Sequence, residues 1–76
     1  MPDPALERKH LAKAERDIAE GERRVTRQMI LIETMRQDGH DTAEAEKLLL
    51  VLELTLAEWQ ARREEILRVL ERHKGH

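Results

Sequence analysis

Two long runs in this chain repeat their apolar residues at alternating spacings of four and three, and a single break, Asp38-Gly39-His40-Asp41, separates them. That repeat draws an apolar line along one face of a helix. It does not suit a strand, whose side chains alternate every second residue. A turn this short leaves the second helix no place but beside the first, running the other way. The expected fold class is therefore all-α: a long antiparallel two-helix hairpin, with helix 1 over about residues 4–37, the turn at 38–41, helix 2 over about 42–73, and residues 1–76 forming one unit.

The first line reads Leu11, Ala14, Ile18, Gly21, Val25, Gln28, Ile32, Met35, and the second Ala45, Leu49, Leu52, Leu56, Trp59, Arg63, Ile66, Leu70. The expected core within the hairpin is Leu11, Ile18, Val25 and Ile32 from helix 1 against Leu49, Leu52, Leu56, Trp59, Ile66 and Leu70 from helix 2. Ala14 and Gly21 are small where leucine is usual, so the helices should approach closely there. Gln28 is the polar member of its line, fixing register if buried or lying at an exposed edge if not. Composition agrees with helices, since there is no Phe or Tyr from which to build a sheet, and Trp59 is the single aromatic.

Capping chemistry places the ends. Asp3 before Pro4 reads as an N-cap followed by proline at the first helical position. Gly39 suits the left-handed residue after a helix. Asp41 with Glu44 three places on resembles a capping box opening helix 2.

Two helices side by side enclose little, yet the sequence is apolar around nearly a full turn at Met29-Ile30-Leu31-Ile32 and again at Leu48-Leu49-Leu50-Val51-Leu52. One seam covers only one face of each run, and a helix apolar all round is a buried helix. In an antiparallel hairpin the two runs lie opposite each other near the turn, as a belt. A homodimer is expected, most simply a four-helix bundle of two hairpins, with Met29, Ile30, Leu31, Leu50, Val51 and Leu54 at the intersubunit contact.

The charged fraction is 39%, with 14 Lys and Arg against 16 Asp and Glu interspersed at helical spacing, for a formal net charge of −2. This is a solvated helix surface, and the balance argues against a dedicated polyanion binder. Arg23, Arg24 and Arg27 with Arg62 and Arg63 leave one alternative open, a nucleic-acid-binding bundle that holds RNA from a helical face in the manner of Rop-type hairpin dimers. Glutamates 20, 22, 58, 64 and 65 interleave with these arginines and point to a neutralised surface.

Catalysis has little to draw on, because the chain has no Ser, Cys, Tyr or Asn. No enzyme activity and no cofactor is expected. Glu7 and His10 share the Glu-x-x-His spacing that puts a carboxylate and an imidazole on one helix face, and with Glu71 and His73 they are the last alternative, a metal-binding bundle. Solvated side chains at a helix end account for the same residues. The lack of cysteine fits a reducing compartment. The start of the chain has no basic segment followed by an apolar run, and no stretch is long and apolar enough for a membrane. A cytoplasmic protein without membrane association is expected.

Gly39-His40-Asp41-Thr42-Ala43-Glu44-Ala45, leading into Leu48, Leu49 and Leu52, resembles short uncharacterised bacterial helical-hairpin proteins with a G-x-D-T-x-x-A turn. The resemblance covers about a third of the chain. It implies a standalone helical hairpin and brings no activity, ligand or site residue with it. Together these readings give a non-catalytic, homodimeric helical interaction module, a small adaptor or regulatory protein that binds another protein.

Overall fold

A computed structural model describes residues 3–74; the expected extension of the unit to residues 1 and 76 lies outside them. Two helices, α1 over Pro4–Gln37 and α2 over Ala43–Lys74, pack along their length into a rod of 59 × 15 × 14 Å. At 1.5 Å per residue, α1 alone accounts for about 50 Å of that length.

Local chemistry sets the boundaries. Asp3 holds an extended backbone, its carboxylate accepts from the Ala5 N–H at 2.9 Å, and its carbonyl accepts from Glu7 N–H, so it caps α1 with Pro4 at the first helical position. At the other end Gly39 takes a φ of +76°. The Gly39 N–H donates to Arg36 O at 3.1 Å, and the His40 N–H donates to Met35 O at 2.8 Å. These two bonds are the paired closure that satisfies orphan carbonyls at a helix end.

The start of α2 differs from the capping box read in the sequence. The Thr42 carbonyl accepts the first helical bond, from Glu46 N–H, so Thr42 is the cap residue and α2 opens at Ala43, one place later than expected. Asp41 still binds the helix end, accepting from Ala43 N–H at 3.0 Å. Glu44 does not reach back. It occupies the second helical position, not the third from which a capping box closes, and its carboxylate accepts from Lys47 Nζ at 3.2 Å instead.

Every position of both apolar lines is buried or half-buried. Of the expected core, Ile32 and Ile66 are buried, whereas Leu11, Ile18, Val25, Leu49, Leu52, Leu56, Trp59 and Leu70 are half-buried, because one neighbouring helix covers only one side of each side chain. Ala14 and Gln28 complete the buried set among the described residues. Gln28 settles as a register element: 8% exposed, it donates from Nε2 to Ala45 O across the interface at 2.8 Å. The close approach expected at Gly21 is present, since a Cβ placed there would sit 3.2 Å from Leu56 Cδ1. Arg63, the charged member of the second line, lays its stem in the seam and carries its guanidinium out to Glu64 at 3.3 Å and Glu15 at 3.9 Å.

Candidate functional site

The register of the hairpin is fixed by Gly21 against Leu56 and by Arg63 beside Glu15, which brings Met29–Leu31 level with the first turns of α2. There the molecule leaves large apolar side chains open. Ile30 is 62% exposed, Leu50 59% and Leu54 58%, and Met29, Leu31, Leu48 and Val51 are each about half exposed. All seven lie in the half of the rod nearer the turn. In the other half, Leu6 is the one large apolar side chain of comparable exposure among the described residues.

The cause is the period of the helix. With successive residues turned by roughly 100°, a helix whose seam faces its neighbour points the residues on either side of each seam position sideways and outward. Ile30 falls nearly opposite the seam of α1, with Met29 and Leu31 on its two flanks. On α2, Leu54 falls nearly opposite the seam, Leu50 and Val51 lie on either side of that outward line, and Leu48 lies on a flank. The band therefore runs around the rod. Single exposed leucines need no explanation, but a contiguous group does.

Part of the polar surface is paired within itself. Arg23 and Arg24 both reach Glu20, at 3.0 and 3.2 Å, and hydrogen bonds from Arg23 first and Arg24 second hold the Glu20 carboxyl below the usual carboxylate range. Arg36 spans Glu33 on its own helix and Glu46 on α2 at 3.1 Å. Lys13 holds Asp17 at 2.8 Å while its Nζ lies 4.9 Å from the centre of the Trp59 ring, and the Arg62 guanidinium lies 5.8 Å from it. Trp59 is thus a half-buried seam residue with cations over its ring. No sequence signal singled out Lys13 and Arg62 as its neighbours, because that contact depends on the register between helices.

The hydroxyls of Thr34 and Thr55 donate to the carbonyls of Ile30 and Val51, each at 3.0 Å, as helical threonines commonly do. Glu7 and His10 do meet, Oε1 to Nδ1 at 3.7 Å, but they line a different open groove from that of Glu71 and His73. Among the described residues no three His, Cys, Asp or Glu side chains gather in a way that could hold a metal ion. No described helix is long and apolar enough to cross a membrane. No family model, no curated protein and no solved structure matches this chain.

Proposed function

We propose that this chain is a non-catalytic, self-associating helical module of the cytoplasm, in which two hairpins join through the apolar band near the turn and the assembled particle engages another protein as an adaptor or regulator. The observation that carries the reading is the band itself: seven large apolar side chains, about half exposed or more, concentrated in one half of a rod that has no depth to hide them. Contiguous apolar surface of this kind marks interfaces, and pairing of identical copies is the most common way to cover it. Pairing also supplies the burial that a two-helix rod lacks, because most seam residues of the single hairpin are only half covered.

The non-catalytic part of the reading rests on the residues present, a set without Ser, Cys, Tyr or Asn and with the Thr34 and Thr55 hydroxyls engaged by helix carbonyls. Arg23, Arg24 and Arg63, three of the five arginines of the candidate basic face, already hold glutamates, which weighs against phosphate binding there, since neutralised cations release few counterions.

The test is the mass in solution. At micromolar concentration, sedimentation equilibrium should give a particle of twice 8.9 kDa, and Leu50→Glu should shift it toward a single chain. A wild-type chain that is folded and monomeric at that concentration would overturn the reading. For the second half of the proposal, the purified dimer should retain one partner protein reproducibly at moderate salt. Retention of RNA alone, weakening steeply as salt rises, would replace it with a nucleic-acid function.

A further inference from the structure

The outer faces of the two helices are not equivalent. On α1 the outward line near the turn runs Arg23, Thr26, Ile30, Glu33, Gln37, so along that line Ile30 is the one apolar residue, and the other exposed apolar side chains of α1 near the turn, Met29 and Leu31, lie on its flanks. On α2 it runs Lys47, Val51, Leu54, Glu58, all exposed, with Leu50 beside it, which makes a continuous apolar patch closed at one end by a cation and at the other by an anion. The line then continues with the same four and three spacing through Ala61, Glu65, Arg68 and Arg72, also exposed. α2 therefore has a second seam on the side away from α1, apolar near the turn and charged beyond it.

Resting on the self-association proposed above, we infer that the occupant of this second seam is α2 of another copy, running antiparallel, with the two-fold axis passing between Val51 and Leu54. The charges select this direction. In a parallel two-fold pair each residue on the line meets its own copy, so Lys47 faces Lys47 and Glu58 faces Glu58, and the same holds for Glu65, Arg68 and Arg72. Each is a like-charge contact. Turned antiparallel about the midpoint of Val51 and Leu54, the same line places Val51 on Leu54 of the second copy, Lys47 on Glu58, Leu50 beside Ala57, and Glu44 toward Arg62.

The overlap then covers about residues 43–62 of each α2, roughly 30 Å of helix at 1.5 Å per residue. Glu65, Arg68 and Arg72 fall beyond the end of the second copy, where their charge remains solvated. This accounts for the change of the outer line from apolar to charged part way along the helix. Ile30, on the far side of α1, takes no part.

The experiment is a dissociation-constant series by sedimentation on the full chain at low salt, with helicity followed by circular dichroism. Leu54→Glu should weaken pairing by roughly a hundredfold or more, in line with loss of a central apolar anchor, and Ile30→Glu should leave it within a few-fold. Lys47→Glu and Glu58→Lys should each weaken it roughly tenfold, since two symmetric contacts turn from attractive to repulsive, and the double variant should recover wild-type affinity. Glu58→Lys leaves the Glu44–Lys47 pair of the hairpin intact, so its effect reports on the contact between copies. These charge variants keep the test alive if Leu54→Glu fails to fold.

A dimer that is broken by Ile30→Glu and not by Leu54→Glu, or that is indifferent to Lys47→Glu and Glu58→Lys, would overturn the antiparallel α2 contact while leaving self-association standing. A monomeric wild type would remove both.

Discussion

With Gln28 changed to alanine, the hairpin would lose the one side-chain bond that ties α1 to a carbonyl of α2 in a buried setting, and a small void would open beside Ala45. A loss of about 1 to 2 kcal/mol is expected, read as a lower midpoint in urea with an unchanged slope. Gly21 makes the complementary case. Leucine there would have to displace Leu56, which already lies within van der Waals reach of a single added carbon, so Gly21→Leu should cost about 1 to 3 kcal/mol by the same measurement. Glu20 is the residue with a pH signature. Its carboxyl is depressed by Arg23 and then Arg24, so the stabilisation it gives is present above the ordinary carboxylate pKa and fades as pH falls through the lower value of the folded state. Carboxyl-carbon NMR titration should place Glu20 below the ordinary carboxylate range, and Arg23→Gln should move it back up toward that range. Being well exposed, this cluster should also lose its effect in high salt.

At the scale of the helices and their joint, the turn is the most sharply specified piece of the chain. Gly39 sits at φ +76° with open space where a side chain would go, so Gly39→Ala meets no clash and only the backbone penalty remains, about 1 to 2 kcal/mol. Calorimetry should show it as a lower melting temperature without loss of helicity. Such elements were legible beforehand because period, caps and glycine are local properties. Asp3, Gly39 and all sixteen seam positions read from spacing alone fall where the chain places them. The role of Glu44 was not legible, because a shift of one residue in the start of α2 moves it from the third helical position to the second. Neither were the cations over Trp59, nor whether Gln28 is covered, since each depends on how far one helix slides along the other, and spacing within a helix does not encode that. The unequal outer faces were legible in principle: the four and three spacing of Val51, Leu54 and Glu58 is present in the sequence, masked there by the leucines of the inner seam beside it.

For the whole molecule, if a second copy covers the α2 side of the apolar band as proposed, folding and association are coupled. The melting temperature should then rise with protein concentration, by a few degrees over about a hundredfold range, and a melting temperature independent of concentration would show the rod to be stable by itself. Trp59, the sole tryptophan, lies within the proposed 43–62 overlap but faces the seam with α1, so its fluorescence reports mainly on the hairpin and, compared with sedimentation, separates unfolding from dissociation.

Because Asp3 and Lys74 both lie at the end of the rod remote from Gly39, anything fused to either terminus hangs tens of ångströms from the turn. In the proposed antiparallel two-fold pair, whose turn-proximal halves overlap, two such attachments would be carried at opposite poles. Energy transfer between terminal fluorophores should accordingly be weak in the antiparallel dimer and strong in any arrangement that brings both open ends to the same side.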